Sequence, residues 1–485
     1  MSPLTKPFEG ERIPLATKIF FGMGDFFGGG SFTLMGIFYM IFMTDVVYLK
    51  PAYAGAIMLA AKLWDAVTDP VMGRITDATH SRLGRRRMYY IVGIAPIAVS
   101  FFLMWVPLQL ESQLVMFIYF LFVQLLFRTV YTMVMVPYNA IIPELTTLYE
   151  ERNNLSGIRG ALSTISSLLS AVIPAIIIAQ FTDKGTGHMA MAAIFGLFYS
   201  LPFIGVFFVT YERPEYQKSE LLPFWQSFKE SMRNRSFRLL LGLYIFAYVS
   251  LDILMATFLY FLTYILGKQN MSSTLLGIML ITQVLFLPLY VYLGNRISKN
   301  KALLIGLCFW AVLMASGWLF SSDTPAVGLY VYAFLLGISI SPVGFMPWAM
   351  LPDITDVDEL MTGKRREGIY VGFMTFLRKI SAGIALALLG FSLDLAHYIP
   401  DVSMEEQTGS AVLAIRILFA AVPVVMIAFS AYFSAKFPLT GFAHRVCMNE
   451  VKRKRGEQYE DMGLTTEEKH AILRSLVGPS YEPMD

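Results

Sequence analysis

Stretches of about twenty or more mostly apolar residues recur along nearly the whole chain. They lie at 19–47, 52–76, 88–108, 114–141, 158–181, 189–211, 237–266, 273–295, 302–321, 326–350, 368–396 and 411–435. An α-helix rises 1.5 Å per residue, so about 20 residues cross the roughly 30 Å hydrocarbon core of a bilayer. The pattern predicts an all-α membrane protein with about twelve spans. Composition agrees: 15% of the residues are charged and 56% are hydrophobic, where a soluble chain is about one-quarter charged. The opening MSPLTKPFEGERIPLATK lacks the short apolar core and cleavage site of a signal peptide, so the first apolar helix is expected to be retained as the insertion signal.

Basic residues set the expected orientation. Lys6, Arg12, Lys18, the Arg82–Arg87 cluster, Arg152, Arg213, Lys218, Lys229, Arg233, Arg235, Arg296, Lys299, Lys301, Lys364, Arg365, Arg366 and Lys452–Arg455 fall on one side of the spans. The other side holds Lys50, Lys184 and Lys268. The positive-inside rule then places both termini in the cytoplasm of a plasma (inner) membrane. The expected organisation is a cytoplasmic N-terminus at 1–18, a six-helix half at 19–211, a cytoplasmic middle loop at 212–236, a second six-helix half at 237–436 and a cytoplasmic tail at 437–485. The halves echo each other: GRITDATHSRLGRRR after the second span has a shortened counterpart, GNRISKNK, after the eighth. Two six-helix halves related by an axis along the membrane normal are the arrangement of major-facilitator transporters. In the middle loop, LLPFWQSFKESMRNRSF alternates aromatic and basic residues and reads as a short interfacial helix. In the tail, Thr465 and Glu468 have capping-box spacing before AILRSLV, with Gly478 placed to end a short helix.

The second span carries the chemistry. Asp65 and Asp69 are four residues apart and share a helix face. An acid in the hydrocarbon region costs a few kcal/mol or more, and is tolerated where it faces a cavity or a partner. Two on one face make a site for a hard cation such as Na+; neutralisation by Lys62, one turn earlier, is the structural alternative. Arg128 and Thr132 share a face of the fourth span, and Thr132 either lends its hydroxyl to an ion or bonds its own helix. Asp252 on the seventh span is expected to pair with Lys379, which follows Arg378 on the eleventh. The five histidines fall in expected loops or the tail, and Cys308 and Cys447 have no metal or redox spacing. GMGDFFGGG lies inside an apolar span and not between a strand and a helix, so it reads as a helix-packing surface, not a phosphate cradle. No enzyme signature or cofactor motif is present, and nothing points to nucleic acid. The partners indicated are a small-molecule solute and membrane lipid; oligomeric state is not legible.

Several separated motifs then converge on one family. KLWDAVTDPVMG with SRLGRRR, TDVV at Thr44–Val47, VPYNAIIPELTTLYEERNNLSGIR and PWAMLPDITDVDELMTGKRREGIYVGFMTFLRKISAGIALALLGFSLDLA resemble the glycoside–pentoside–hexuronide:cation symporters. These belong to the major facilitator superfamily and include the melibiose permease; the vertebrate sodium-dependent lysophosphatidylcholine symporters are relatives. The resemblance implies alternating access with Na+ or H+ moving beside the solute. It implies that Asp65 and Asp69 bind the cation with help from Thr132, that Lys62 is the basic residue before them, and that Arg159 and Lys379 face the transport path. Asp77, Arg82, Arg85 and Arg86 fall in the first loop motif. Asp353, Asp356, Lys364, Arg365 and Arg366 fall in the second, where charged contacts between halves would hold the outward-open state. Two positions depart from the pattern: Gly29 and Met135 stand where the melibiose permease has sugar-gripping aspartates, and Asp25 lies one turn before Gly29.

The expected function is cation-coupled symport of a sugar- or glycoside-like solute, with Asp25, Lys62, Arg128, Arg159, Asp252 and Lys379 along the path. Three other readings stay open: a lysophospholipid or other amphipathic solute, an uncoupled facilitator in which Arg128 serves as an internal cation, and a non-transporting receptor on the same fold.

Overall fold

The computed structural model describes residues 12–146, 148–212, 224–363, 366–456, 458–459 and 462–478. Among them, ten helices are long and apolar enough to cross a membrane: Leu15–Asp45, Gln113–Ala140, Asn154–Ile178, Lys184–Val209, Arg235–Tyr264, Gln269–Arg296, Lys299–Leu319, Ala326–Thr362, Gly368–Leu395 and Gly409–Ala435. Two more complete the expected set. Met88–Met104 is apolar but shorter, and Pro51–Ala78 is long but carries Lys62, Asp65, Asp69, Arg74 and Asp77. Its charges are what set the second span apart. It starts with proline at its first position, where no intrahelical partner is lost, and runs on through Pro70. The sixth span is started by Asp183, whose carboxylate accepts from the Thr186 backbone N–H at 2.6 Å.

The chain forms two compact units. The first comprises residues 1–219, 255–277 and 382–416, so it gathers the first six spans with one end each of the seventh, eighth, eleventh and twelfth. The first span turns at Met23–Gly24 and widens into π-bulges at Phe26–Gly30 and Met35–Tyr39, a device that re-aims side chains within a helix. Its glycines lie against serines of the fifth span. Gly29 faces Ser163 and Ser167, Gly30 faces Ser166 and Ser170, and the Ser166 hydroxyl donates to the Phe26 carbonyl at 2.9 Å. The glycine-rich stretch is therefore a packing surface, as expected. The second and eleventh spans also meet through glycine: a Cβ on Gly55 would stand 3.0 Å from the Ala387 carbonyl oxygen and 3.1 Å from its Cα.

His188 is a correction. It lies inside the sixth span, not in a loop, buried and stacked on Trp105 with ring centroids 5.9 Å apart. Its Nδ1 is 2.7 Å from the Lys184 carbonyl, so a local backbone partner and an aromatic neighbour satisfy it.

The second unit comprises residues 220–254, 278–381 and 417–485. The middle-loop helix is present as Phe224–Ser231, with Phe228 edge-on to Phe373 at 5.0 Å; the side chains of Phe224 and Trp225 lie outside the described residues. The tail holds two helices. Thr466–Val477 has the expected capping box between Thr465 and Glu468, and the Gly478 N–H closes it onto the Arg474 carbonyl. Gly441–Arg455 was not anticipated, although Ala443, Val446, Glu450 and Val451 form a buried stripe and Lys452–Arg455 suit the negative end of a helix dipole. Leu473 and Leu476 are fully buried, and the Ser236 hydroxyl donates to the Leu476 carbonyl at 2.7 Å.

This tail is fixed to the tenth span. His444 Nε2 lies 2.8 Å from Asp356 Oδ2, Arg455 pairs with Glu359, and Lys454 Nζ donates to the Leu360 carbonyl at 3.0 Å. The hydrogen bond to Asp356 raises His444 above the usual imidazole range; burial and Lys299 oppose this, and Asp353 supports it. A raised folded-state value stabilises docking fully below the free-histidine pKa of about 6.5, and the stabilisation is lost as pH rises through the folded value. With His444 29% exposed, the effect is expected to be about 1 kcal/mol or less. Once the intrinsic pH dependence of amide exchange is divided out, the protection of Gly441–Arg455 should therefore be greater at pH 6 than at pH 8. In His444→Gln this pH dependence should vanish; if it persists there, another group is responsible.

Candidate functional site: paired acids in the second span

The first unit brings together the residues singled out on the second and fourth spans. Arg128 Nη1 donates to Asp65 Oδ2 at 3.1 Å, with both side chains 1% exposed. The Thr132 hydroxyl donates to Asp69 Oδ1 at 2.8 Å, so it bonds across to the second span and not to its own helix. The reason is geometric. Residues at i and i+4 share one face of each helix, so on two spans running in the same direction the pairs meet in register, Asp65 with Arg128 and Asp69 with Thr132. Phe32 of the first span lies under both nearby cations, 4.6 Å from Arg128 Cζ and 4.9 Å from Lys62 Nζ.

The polar atoms here are incompletely used. Asp65 Oδ1, Arg128 Nε and both amide atoms of Gln124, one turn before Arg128, are buried without a hydrogen-bond partner among the described residues. Such groups are costly to leave unpaired. A hard monovalent ion or a proton fits the oxygen set of Asp65 Oδ1, Asp69 and the Thr132 hydroxyl. No cluster of three or more His, Cys, Asp or Glu that could hold a metal occurs among the described residues, so the donor set does not resemble a divalent site.

Arg159 on the fifth span donates to Asp25 Oδ1 at 3.2 Å and to Asn139 Oδ1 at 2.5 Å, with its guanidinium 4.9 Å from the Tyr138 ring centre. The two positions where aspartates were absent are filled by packing: Gly29 lies on the fifth-span serines, and buried Met135 lies against Gly28. Asp25 supplies the carboxylate one turn earlier.

In the second unit Asp252 is held by Arg378, through Nη1 to Oδ2 at 2.5 Å and Nη2 to Oδ1 at 2.7 Å. This corrects the expected pairing with Lys379. Adjacent residues on a helix point about 100° apart, and sequence alone does not say which of the two faces the seventh span. Lys379 is half-buried beside it.

The loop motifs are braced locally. Glu144 receives Arg85 at 2.7 Å and also pairs with Arg86. Glu212 accepts the backbone N–H groups of Arg85, Arg86 and Arg87 at 2.8, 2.9 and 2.9 Å. Gly84 has φ +101°, and a Cβ there would stand 2.6 Å from the Glu212 carboxylate, so the turn requires glycine. Arg82 is exposed, and the side chain of Asp77 lies outside the described residues. Asp353 pairs with Lys299 at 2.7 Å and Asp356 with His444. Arg366 grips Asp358 through Nε at 2.9 Å and Nη2 at 2.7 Å, and reaches Glu230 at 2.5 Å. These described partners all lie within the second unit. Lys364 and Arg365 lie outside the described residues.

One cluster escaped sequence reading. Asp45, at the end of the first span, accepts from the hydroxyls of Thr44 at 2.6 Å, Tyr398 at 2.6 Å and Tyr264. Thr44 also shares a hydrogen bond with Tyr260 at 2.7 Å. Tyr48 and Lys184 both bind Asp401 nearby, and Asp45, Tyr48, Lys184 and Asp401 help to line a cavity of about 410 Å³. The only signal was Asp45 itself in TDVV; its phenol partners lie more than 200 residues away.

Known proteins share both sequence and fold with this chain. A protein of Synechocystis sp. described as an uncharacterized symporter is 25% identical, covering 91% of this chain and 97% of that protein. The sodium-dependent lysophosphatidylcholine symporter 1-A of Danio rerio is 24% identical over 90% and 88%. The isoprimeverose transporter of Lactiplantibacillus pentosus is 27% identical over 89% and 90%. Among solved structures, that of a nucleoside transporter has the same fold, with a TM-score of 0.59, 14% identity and coverage of 87% and 98%. Residues 20–441 match the family described as MFS/sugar transport protein. The chain is thus an integral membrane transporter and not an enzyme, and it belongs to the MFS/sugar transport protein family.

Proposed function

We propose that the protein couples entry of a sugar- or glycoside-like solute to one monovalent cation held at Asp69, Thr132 and the second oxygen of Asp65. The observation that carries this is the division of labour between the two acids. Arg128 neutralises Asp65 through one oxygen and leaves Asp65 Oδ1 buried without a hydrogen-bond partner among the described residues, while the Thr132 hydroxyl donates to Asp69 Oδ1 at 2.8 Å. Arg128 then tunes the site to a single ion and does not replace that ion. Two six-helix halves, 19–211 and 237–436, alternate access to the path, with both termini cytoplasmic as the basic loops require. The Asp45–Tyr264–Tyr398 cluster closes one face, and the braced loop motifs serve the other. By linkage, ion and solute tighten each other's binding by the same factor.

Sodium is the favoured ion, because relatives of this length and similarity include a sodium-dependent symporter. Titration calorimetry of purified protein should show saturable Na+ binding that Asp69→Asn abolishes. If Na+ binds equally well to Asp69→Asn, the site lies elsewhere. If Na+ does not bind but solute addition releases protons, the ion is H+. The same relative favours a second reading, an amphipathic lysolipid as the solute. Na+-driven uptake of lysophosphatidylcholine, with no sugar taken up, would establish it.

A further inference from the structure

The two half-wet ion pairs share a design. Asp25 is on the first helix of the first six and Arg159 on the fifth. Asp252 is on the first helix of the second six and Arg378 on the fifth. In each, the guanidinium lies over a tyrosine ring, Tyr138 at 4.9 Å in the first unit and Tyr248 at 4.7 Å in the second. Both are partly open to solvent: the side chains of Arg159 and Asp25 are 21% and 12% exposed, those of Arg378 and Asp252 20% and 23%. Arg128 and Asp65 at 1% each are different. A charged pair in mid-span that shows surface to lipid is heavily disfavoured, so this surface belongs to a water-filled path.

We propose that Asp252 and Arg378, with the aromatic shelf beside them, form a subsite in the second unit that reads the hydroxyls of an uncharged sugar ring. The shelf is built from Tyr248, Tyr244 at 4.6 Å from it, and Trp348 edge-on to Tyr244 at 5.7 Å. The Tyr248 hydroxyl donates to the Gly344 carbonyl at 3.2 Å. Gly344 is exposed, and a Cβ there would meet only Gln283 Nε2, at 3.8 Å. Space therefore opens beside the shelf, bordered by an amide.

The pairing itself selects the ligand class. Two parallel N–H···O bonds consume one hydrogen on each Nη and one lone pair on each carboxylate oxygen. Each group keeps a second donor or acceptor, side by side, which is the pattern that neighbouring sugar hydroxyls present. An anionic solute would have to take Arg378 from Asp252 and leave that acid unpaired in mid-span, a strongly unfavourable exchange. A sugar face also suits the apolar face of the shelf.

This inference rests on the sugar reading above, and the test separates the two. Full-length protein in proteoliposomes is assayed for Na+- and H+-driven uptake of isoprimeverose, other neutral glycosides, hexuronates and lysophosphatidylcholine. A neutral glycoside should be transported. For it, Asp252→Asn and Arg378→Lys should each raise KM about 10- to 100-fold while Na+ binding at Asp69 persists as the sign of a folded protein. The exchanged variant, Asp252→Arg with Arg378→Asp, should retain Na+ binding but not recover KM, which separates recognition from a merely structural ion pair. An unchanged KM in variants that still bind Na+ overturns the subsite alone. A hexuronate or the lysolipid as the transported solute, dependent on Arg378, overturns the uncharged-sugar assignment. Driven uptake of none of these overturns the parent reading, and the subsite with it.

Discussion

Asp65→Asn is expected to lower the stability of the purified protein by about 3–5 kcal/mol, because it leaves a fully buried arginine without its counter-charge. Arg128 is 1% exposed and makes its carboxylate contact at 3.1 Å. Its Nε is already unpartnered, so little remains to compensate. Cation-driven uptake should be lost as well, since the site loses an oxygen and gains an uncompensated positive charge beside Asp69. The informative variant is the double one. Asp65→Asn with Arg128→Gln removes both charges and should restore most of the thermal stability. Na+ affinity should stay reduced, because the second carboxylate oxygen is still missing. Differential scanning fluorimetry and Na+ calorimetry on the three proteins check this. A double variant that binds Na+ as wild type does would show that Asp69 and Thr132 suffice. A single variant that melts like wild type would show that Arg128 finds another partner.

The second large effect concerns Asp45. Three hydroxyls converge on one carboxylate there, and hydrogen bonds to a charged acceptor are worth about 1.5–3 kcal/mol each, with incomplete additivity. Asp45→Ala strands the Tyr264 and Tyr398 hydroxyls in a buried setting, and a loss of about 3–5 kcal/mol is expected. Burial, reinforced by the Asp45 charge, pushes the Tyr398 phenol far above its ordinary value, so the phenol remains the donor across the usable pH range. The milder Tyr398→Phe keeps the packing and removes one bond. It should shift the protein towards a state in which this face is open. Thiol labelling of a Val46→Cys reporter, buried on the wall of the neighbouring cavity, should then be several-fold faster in the Tyr398→Phe background, a rise that corresponds to about 1 kcal/mol. Equal labelling rates with an unchanged melting temperature would mean that the cluster holds no closed state together.

The positions with strong one-dimensional signals were the ones that could be read. Spans follow from apolar length, and the second one is marked by charges that lipid would not tolerate without a purpose. Asp65 with Asp69, and Arg128 with Thr132, were each paired in advance because they lie four residues apart on one helix, a spacing that any α-helix turns into a shared face, while the family resemblance implied that Thr132 joins the two acids. The capping box at Thr465 and Glu468 was legible for the same local reason. Asp353, Asp356 and Arg366 were recognised as a charged loop motif, but not the partners Lys299, His444 and Asp358 that hold them.

By itself, then, the sequence determined that this chain is a bundle of about twelve membrane helices and that its second helix carries paired acids on one face. Each of these depends on residues within a few turns of one another, where helical geometry is fixed by the backbone. Tertiary structure alone decided who partners whom. It gave Asp252 to Arg378, set Thr132 on Asp69, seated His188 on Trp105, and drew Tyr264 and Tyr398 onto Asp45. Those choices turn on rotations of about 100° between neighbouring residues and on contacts between segments far apart in the chain, and neither leaves a periodic mark. A buried charge announces that it has a partner; only packing says which one.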